Sequence, residues 1–453
     1  MDVFFQQHKP TSSIAQYLSV GSKDRDTQTL GFELEHFVVE KESLAPVTYL
    51  PKADLGTDLA GVLNSDAPSV QKVLESLTGY YSEATYECNF LGSPCICGLH
   101  REKVSITLEP GSQLEVSIGP ACSVGEIETL YKAFRIELDP ILDSLGLKLL
   151  ELGYHPTALA RDIPLLPKPR YEHMDRYFTE TGKHGICMMR ATASTQVSVD
   201  FASERDALRK FRIANALGPL LAFITDNSPI FEGERVGVCG GASAVSQSGY
   251  SVPERMARMV CWDDTDPKRC LVAKDAFDDE FSFLRYAENL IEAPGIFLPG
   301  NAPDSEPLYL GFTPYIRALP DAFIDEAMVL HILSMFFYDV RFKNYVELRQ
   351  ADSMPLEYAL AYSALISGIF YNPEALEYYT ECFLYTDSPA IAFAKSALRS
   401  GGYEADVYRR PAAEWLDEMI AFAEAGLASE EVHYLAPLAQ LVKARTTLLE
   451  HSF

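Results

Sequence analysis

Alternating apolar and polar residues predict β-strands at four widely separated places in the chain. Residues 31–39 show this pattern clearly: Glu33 and Glu35 share one face of the predicted strand, while Phe32 and Leu34 share the other, since successive side chains of a strand point to opposite sides. The same alternation marks three more β-regions, at residues 84–119, 188–201 and 340–348. Together these regions predict a sheet with one apolar and one polar face.

The region around residue 110 predicts a β-hairpin. Apolar residues alternate with polar ones over residues 104–108 and again over 114–118, on either side of the sequence Pro110-Gly111-Ser112. Proline and glycine between two alternating runs are typical of a hairpin turn. The polar face of this hairpin carries Glu109 on one arm and Glu115 on the other.

Helical patterns separate these strands and dominate the last hundred residues. Ser123 followed by Glu126 predicts a capped helix that runs to about residue 143, because serine and glutamate at this spacing form a capping box. A short strand is expected at 147–152 and a mobile glycine- and serine-rich loop at 233–250. Further helices are predicted at 13–18, 70–77, 171–178, 204–224, 321–337, 357–368, 373–383, 389–398, 411–425 and 429–449.

This order of elements predicts an α+β fold in which an antiparallel sheet is flanked by helices and followed by a helical C-terminal part. We find no internal repeat and no linker that would divide the chain. Residues 1–453 are therefore predicted to form a single catalytic domain. In it, about 30–355 carries the active-site sheet and about 356–453 packs on it as a helical tail.

Carboxylates and amides collect on the polar faces of the predicted strands, and one arginine accompanies them. These residues are Glu33, Glu35, Glu109, Glu115, Gln196, Glu347 and Arg349. Hard oxygen ligands at this density suit Mg²⁺ or Mn²⁺ bridging a triphosphate. Glu347 and Arg349 would offer a metal ligand and a cation for a transferring phosphoryl group. The alternative is a solvated polar face, since amphipathic sheets often alternate without binding a ligand.

The net charge restricts the partners of the chain. Lys and Arg number 38 against 64 Asp and Glu, which gives a formal net charge of −26. A chain this acidic is repelled by phosphate backbones, so we expect no nucleic-acid partner. A nucleotide ligand would need metal ions or local arginines to offset this repulsion.

The cysteines and the first residues predict a reducing, cytoplasmic location. The chain has nine cysteines, and its first five residues, Met1-Asp2-Val3-Phe4-Phe5, lack the basic and apolar regions of a secretory leader. The longest apolar run, residues 359–371, is too short and too interrupted to span a bilayer. We therefore expect a soluble protein without a membrane partner.

Other catalytic and metal-binding motifs are weak. Cys95-x-Cys97-x2-His100 offers soft ligands but not a usual zinc spacing, so a buried thiol pair is the preferred interpretation. The chain contains no G-x-x-x-x-G-K-[ST] loop for phosphates and no G-x-S-x-G nucleophile motif.

An ordered set of motifs resembles the glutamate–cysteine ligases of the plant and proteobacterial type. It begins with Gly31-Phe32-Glu33-Leu34-Glu35-His36-Phe37 and ends with Tyr345-Val346-Glu347-Leu348-Arg349-Gln350-Ala351-Asp352. Between them, in the same order as in the family, lie residues 105–115, 162–164, 167–171, 188–201, 209–212, 227–233 and 262–269. Each motif is weak alone, whereas the ordered set is specific. The helical tail matches only loosely.

This resemblance implies a glutamine-synthetase-like fold, in which an antiparallel sheet curves into a funnel with Mg²⁺ and ATP at one end and amino acids at the other. Glu35 and Arg349 would be catalytic, with Arg349 contacting ATP and stabilising the transferred phosphoryl group. Substrate-binding residues would be Arg258, Trp262, Arg170 and Tyr171. The residues facing the metal would be Glu33, Glu35, Glu109, Glu115, Gln196 and Glu347.

The implied reaction joins the γ-carboxylate of L-glutamate to the amine of L-cysteine through a γ-glutamyl phosphate, the first step of glutathione-type thiol synthesis. ATP is the co-substrate, and Mg²⁺ or Mn²⁺ neutralises its charge. The expected partners are these small molecules, for a monomer or a homodimer.

Departures from the family pattern leave two alternatives open. Ala191 stands where the plant-type pattern has an arginine, and Arg190 precedes it, on the opposite face of the predicted strand. Ser198, Ser112 and Leu114 also replace family residues near the expected amino-acid end. The first alternative is therefore a ligase that joins glutamate to a different amine. The second is a non-catalytic relative that binds metal or nucleotide.

Overall fold

The computed structural model describes residues 9–51, 67–88, 94–237, 244–300, 306–319 and 324–451. Its centre is an antiparallel sheet of nine strands, counted within these ranges. The strands of the protein are β1 (Leu30–Glu40), β2 (Glu83–Cys88), β3 (Pro94–Arg101), β4 (Val104–Leu108), β5 (Leu114–Ala121), β6 (Leu147–Leu150), β7 (Ser194–Val199), β8 (Ile230–Phe231), β9 (Glu234–Arg235), β10 (Pro294–Leu298), β11 (Leu308–Pro314), β12 (Val340–Phe342), β13 (Val346–Asp352), β14 (Asp406–Val407) and β15 (Arg410–Pro411).

The central sheet has the order β12-β13-β7-β1-β5-β4-β3-β2, and β6 also pairs with β1. The first half of β1 lies between β5 and β7, while residues 37–40 pair with β6. Three further pairs, β8–β9, β10–β11 and β14–β15, lie outside this sheet. The antiparallel sheet confirms the fold class expected from the alternating segments.

Helices surround the sheet and form the C-terminal part. They are α1 (Pro10–Val20), α2 (Val70–Leu77), α3 (Val124–Ser144), α4 (Pro169–Thr181), α5 (Gly185–Ala191), α6 (Glu204–Ile224), α7 (Ala257–Asp263), α8 (Phe283–Glu292), α9 (Tyr315–Ala318), α10 (Glu326–Ser334), α11 (Leu356–Phe370), α12 (Pro373–Cys382), α13 (Ser388–Gly401), α14 (Ala412–Gly426) and α15 (Ala436–Ala444). Within the described residues, no helix is both long and apolar enough to cross a membrane.

Capping side chains set the start of two predicted helices. The Ser123 hydroxyl accepts a hydrogen bond from the Glu126 amide at the start of α3, and Ser203 accepts one from the Asp206 amide at the start of α6. These bonds satisfy amide groups that have no partner inside the helix. The predicted helices at 70–77 and 204–224 are confirmed at both ends.

The predicted hairpin around residue 110 is also confirmed. β4 and β5 pair with Thr107 opposite Glu115, and the Ser112 amide donates to the Glu109 carbonyl across the turn. Gly111 is required by close packing, since a Cβ atom there would lie 2.4 Å from the Arg190 carbonyl oxygen. Glu109 lies just beyond the end of β4, at the turn.

Two predicted strands are wrong in part. Residues 185–191 form helix α5, and only 194–199 form strand β7, because a short buried apolar run does not by itself distinguish a strand from a helix. Arg190 and Ala191 are therefore helical and do not occupy opposite faces of a strand. The segment 340–348 is the hairpin β12–β13, which turns at residues 343–345 and places Arg341 opposite Glu347.

Several other boundaries differ from the sequence prediction. The helix predicted at 321–337 is confined to α10 within the described residues, and that predicted at 429–449 contains α15 between two 3₁₀ turns. The pattern missed α7, α8 and the hairpin β10–β11. The predicted loop at 233–250 contains β9, and its residues 238–243 lie outside the described ranges.

The apolar core lies on one face of the central sheet. Phe32 and Leu34 of β1 are buried in the same cluster as Ala361 and Leu365 of the tail. Helix α11 contacts β1 and β7, while α6 contacts β13. The helices thus cover the apolar face, and the opposite face presents the acidic side chains. That the whole chain is one domain stays a prediction.

Candidate active site

Four glutamates meet on the polar face of the sheet. Glu33 and Glu35 alternate on β1, and Glu35 lies opposite Glu115 of the neighbouring strand β5. Glu109 joins them from the hairpin turn. Carboxylate oxygens of Glu35, Glu109 and Glu115 all lie within 4.8 Å of one another. The register of the sheet therefore brings together carboxylates from distant parts of the chain.

In the carboxylate cluster, defined as Glu35, Glu109 and Glu115, the pKa of every carboxyl group is raised. Burial raises the pKa of Glu109 to about 8, with further contributions from the charges of Glu115 and Glu35. Burial also raises the pKa of Glu35 and of Glu115. Next to the cluster, burial and the charge of Glu115 raise the pKa of Glu33 to about 7.

Hydrogen bonds orient the cluster. Glu35 accepts bonds from the Ser194 amide (2.7 Å), the Ser194 hydroxyl (2.7 Å) and the Gln196 side-chain nitrogen (3.0 Å). Glu115 accepts bonds from the hydroxyls of Thr107 (2.7 Å) and Ser117 (3.1 Å). These neutral donors fix the carboxylates without cancelling their charge. Three hard, converging oxygen donors with raised pKa values fit a divalent cation.

Glu347 has the opposite surroundings, although it lies on the same face. Its carboxylate is fully buried and pairs with Arg341 (2.7 Å), Lys343 (3.1 Å) and Arg349 (3.0 Å). Burial alone would raise its pKa, but these three positive charges outweigh burial and hold the pKa of Glu347 well below its usual range.

Arg349 links this ion network to the carboxylate cluster. One of its guanidinium nitrogens donates to the Gln196 side-chain oxygen and to Glu347. Gln196 donates in turn to Glu35. The predicted catalytic arginine and the predicted catalytic glutamate are thus joined through one amide side chain.

Two cavities adjoin at Glu33, which lines both of them. The first, of about 540 Å³, lies where β1, β5 and β7 carry Gly31, Ser117 and Ser198, and Lys23 and Lys103 lie at its edge. The second, of about 290 Å³, contains the carboxylate cluster. The polar face thus offers two compartments on either side of one carboxylate.

Most predicted site residues line the second cavity, and two do not. Those that line it are Glu33, Glu35, Glu109, Glu115, Gln196, Arg349, Arg170, Tyr171 and Trp262. Glu347 lies behind its three cations, outside the residues that line either cavity. Arg258 is also outside this set, because its guanidinium donates to the carbonyls of Arg349 (3.2 Å) and Gln350 (3.3 Å) in β13. The roles predicted for these residues stay predictions.

Sequence reasoning missed several residues of the second cavity. Arg341 and Lys343 line it as partners of Glu347, and the apolar wall includes Met188 and Met189. The polar pair Lys343-Asn344 lies inside the strand predicted at 340–348. It could have indicated the turn there, because asparagine and neighbouring polar residues favour turns. The methionines carried no signal, since a buried apolar pair is normally part of the core.

The cysteine motif contacts the neighbouring strands, and its thiols also interact with Tyr49 and Lys168. The Cys97 thiol donates to the Thr85 carbonyl (3.4 Å). The two ring nitrogens of His100 lie 2.9 Å from the Thr85 hydroxyl and 3.1 Å from the Ser105 hydroxyl. The hydrogen bonds of Cys97 and His100 therefore join β3 to β2 and β4.

An α+β chain with a partly buried carboxylate cluster in one of two adjoining cavities has the features of an enzyme active site. The family model of "Glutamate-cysteine ligase family 2" matches residues 29–446. The chain belongs to this family.

Plant glutamate–cysteine ligases are similar to this chain in sequence. Glutamate–cysteine ligase B, chloroplastic, of Oryza sativa subsp. japonica is 31% identical over 366 residues, 80% of this chain and 66% of that protein. Its A form is 30% identical over 369 residues, 80% and 67% of the two chains. The glutamate–cysteine ligase, chloroplastic, of Arabidopsis thaliana is 28% identical over 365 residues, 80% and 63%. The matched region thus spans about two thirds of the length of these relatives.

Among solved structures, a complex of the prokaryotic ubiquitin-like protein Pup with its ligase PafA aligns with 96% of this chain and 65% of its own. The TM-score is 0.41 and the identity 10%. This similarity is too weak to support an inference.

Proposed function

We propose that the protein catalyses the ATP-dependent ligation of the γ-carboxylate of L-glutamate to the amine of L-cysteine. The observation that carries this proposal is the carboxylate cluster of Glu35, Glu109 and Glu115. The cluster lies beside the boundary of two cavities, in a chain of the glutamate–cysteine ligase family. Such a reaction needs the γ-phosphate of a metal-bound nucleotide to lie next to the γ-carboxylate of the amino acid.

The chemistry of the two cavities supports a division between the substrates. The first cavity is the larger and is lined by Lys23, Lys103 and several serine hydroxyls, which suits a nucleotide. The second holds Arg170 near the Tyr171 ring, 5.6 Å from its centre, and Trp262. The Trp262 indole nitrogen is buried without a hydrogen-bond partner in the described residues. We assign ATP to the first cavity and the amino acids to the second.

The carboxylate cluster would hold Mg²⁺ or Mn²⁺, because both ions prefer oxygen ligands and the nearby protein cations do not outweigh the factors that raise the pKa of these carboxyls. When bound, such an ion neutralises phosphate oxygens of the nucleotide and so favours attack at phosphorus. Glu33, at the boundary, is a further ligand in this proposal. Glu347 would bind the ion only if its ion pairs with Arg341, Lys343 and Arg349 were broken.

Phosphoryl transfer is the first step of the proposed reaction. An oxygen of the glutamate γ-carboxylate attacks the γ-phosphorus of ATP, and the bond from this phosphorus to the β,γ-bridging oxygen breaks. The electron pair leaves with ADP, and no proton moves. Arg349 lines the second cavity, where its guanidinium would stabilise the charge on the transferring group.

Amide formation is the second step. The neutral amine nitrogen attacks the acyl carbon of the γ-glutamyl phosphate, and the bond from this carbon to the phosphate oxygen breaks. Phosphate leaves with the electron pair, and the nitrogen releases its proton. The apolar side chains that line the second cavity, including Met188, Met189 and Trp262, would limit hydrolysis of the acyl phosphate by water.

One observation favours the alternative of a different amine. Arg190 points away from the second cavity, since its guanidinium donates to Asp175 (2.6 Å) and to the Ile163 carbonyl (3.1 Å). Ala191 brings no charge to the position where the plant-type pattern has an arginine. The part of the site expected to bind the amine therefore differs from the plant-type pattern. The intact set of carboxylates and cations speaks against a non-catalytic relative.

A panel of amines tests the proposal. Phosphate release is measured with ATP, Mg²⁺ and glutamate, adding cysteine, alanine or a diamine in turn, with blanks that lack glutamate or the amine. We expect cysteine to give the highest kcat/KM. Release that is no faster with cysteine than with the other amines would overturn the cysteine assignment. Absence of glutamate-dependent release with every amine would overturn the ligase assignment. A cytoplasmic location and the oligomeric state stay predictions.

A further inference from the structure

The turn between β12 and β13 lies at the boundary of the two cavities. Lys343 lines the second cavity, while the next two residues, Asn344 and Tyr345, line the first. Glu33 lines both cavities from the facing strand β1. The turn and Glu33 therefore both lie at the place where the two cavities adjoin.

The Lys343 ammonium faces into this boundary. It lies 3.1 Å from a carboxylate oxygen of Glu347 and 5.5 Å from the centre of the Tyr345 ring. Its charge also acts on Glu33 and Glu115, where it opposes the rise in the pKa of both carboxyls. Only 23% of the side chain is exposed. An ammonium has three donors, and the pair with Glu347 leaves capacity for a further anionic oxygen.

The turn is held in place by a helix that precedes the region matched by the family model. At the end of α1, a Cβ atom on Gly21 would lie 2.0 Å from the Asn344 carbonyl oxygen. Within the turn, the Lys343 amide donates to the Tyr345 carbonyl (3.0 Å). The Lys343 charge also acts on Tyr17 of the same helix, where burial dominates and raises the pKa of the phenol. Close backbone packing thus fixes the position of Lys343.

We infer that Lys343 is a second phosphoryl-stabilising cation, which contacts the γ-phosphoryl group as it moves from ATP to the glutamate carboxylate. This inference rests on the proposed function. Negative charge on the equatorial oxygens is shared by two protein cations, Arg349 from β13 and Lys343 from the turn. Arg349 is tied to both Gln196 and Glu347, whereas Lys343 lines the second cavity from the turn, next to the two residues that line the first. Bond changes are those of the phosphoryl-transfer step given above.

The test isolates phosphoryl transfer from the amine step. ATP that carries ¹⁸O in its β,γ-bridge is incubated with Mg²⁺, glutamate and no amine. Reversible formation of the acyl phosphate then scrambles the label into the β-phosphate. We compare the unmodified protein with Lys343→Met, Lys343→Gln and Lys343→Arg. The dissociation constant for a non-hydrolysable ATP analogue is measured by calorimetry as a second readout.

We expect Lys343→Met and Lys343→Gln to slow label exchange about 100-fold or more, while analogue affinity changes less than tenfold. Lys343→Arg should recover at least a tenth of the original rate, because the cation is retained. The control Lys132→Met removes an exposed ion pair of the same i,i+4 spacing on α3, 2.6 Å to Glu128, and should exchange at the original rate.

Three outcomes would overturn the inference while leaving the proposed function intact. One is exchange within threefold of the original rate in a folded Lys343→Met or Lys343→Gln protein. Another is a loss of analogue affinity that matches the loss of exchange, which would assign Lys343 to ground-state binding. The third is Lys343→Arg being as slow as Lys343→Met. If the unmodified protein shows no glutamate-dependent exchange, the proposed function itself fails.

Discussion

Glu109 and Glu347 are the same residue type on the same face of one sheet, yet their surroundings give them opposite character. Glu109 lies among other carboxylates, and burial together with its neighbours raises its pKa to about 8. Glu347 lies among Arg341, Lys343 and Arg349, which hold its pKa well below the usual range despite burial. Arg170 and Arg349 act on Glu109 without outweighing burial and the neighbouring carboxylates, whereas Glu347 forms ion pairs with all three of its cations.

The same alternating sequence pattern therefore marks carboxylates with two different roles, binding an external cation and holding cations of the protein. The cluster of Glu35, Glu109 and Glu115 is suited to an external cation, since bringing together one buried and two partly buried carboxylates is unfavourable without one. Glu347 instead holds protein cations at the boundary of the cavities. It thereby positions Arg349 and Lys343, the two residues assigned to the phosphoryl group. Substitutions of the same kind at the two places should therefore have different consequences.

The largest expected effect follows from removing the charge of Glu347. Glu347→Gln leaves Arg341, Lys343 and Arg349 buried or half-buried without their common anion. Breaking a buried ion pair from one side typically costs about 3–5 kcal/mol. We expect a loss of this size in the free energy of unfolding, measured by urea denaturation.

Glu288→Gln is the matched control for that prediction. Glu288 pairs with Arg285 at 3.2 Å, but both side chains are about two-fifths exposed. An exposed pair contributes at most about 1 kcal/mol, so this variant should be nearly as stable as the original. Equal stability of both variants would show that Glu347 is not the centre of an ion network.

Removing the charge of Glu35 should affect turnover more than stability. Glu35→Gln keeps the shape of the side chain but removes a charged oxygen from the carboxylate cluster. We expect kcat for glutamate- and ATP-dependent ligation to fall about 10²- to 10³-fold, with a folded protein by circular dichroism. Glu40→Gln, at the exposed end of the same strand, should keep full activity. Near-normal turnover of Glu35→Gln would refute the metal assignment.

The smallest expected effect is a pH dependence of the metal-free protein. The folded-state pKa of Glu109 is about 8 and that of Glu33 about 7, both above the model-peptide value of 4.5. Protonation of a group with a raised pKa stabilises the folded state fully below pH 4.5, and this contribution is lost as pH rises through the folded pKa. The Tm of metal-free protein should therefore fall between about pH 5 and 8.

Glu347 does not contribute to that slope. Its pKa is lowered, so its stabilising effect is present throughout this range and is lost only under more acidic conditions. Glu109→Gln should make the slope between pH 5 and 8 shallower, and so should saturating Mg²⁺, whereas Glu288→Gln should leave it unchanged. A flat profile for the metal-free original protein would contradict the raised pKa values.

Local sequence patterns predicted the parts of the site that depend on short-range structure. Alternation placed Glu33 and Glu35 on one face of β1, and the turn at Pro110-Gly111-Ser112 brought Glu109 near Glu115. Both follow from backbone geometry within about ten residues. The pattern failed at 188–191, where a buried apolar run is compatible with helix or strand. It also failed at 343–345, where the hairpin turn lies inside what appears to be one strand.

By itself, the sequence determined the family, the antiparallel strands and the acidic polar face, because these depend on residue order and on the two-residue period of a strand. Only the tertiary structure decided which acids remain uncompensated and which are neutralised. Charge compensation depends on cross-strand register and on burial. Arg341 lies opposite Glu347 only because residues 340–352 fold back as a hairpin. Glu35 lies opposite Glu115 only because β1 pairs with β5 in this register.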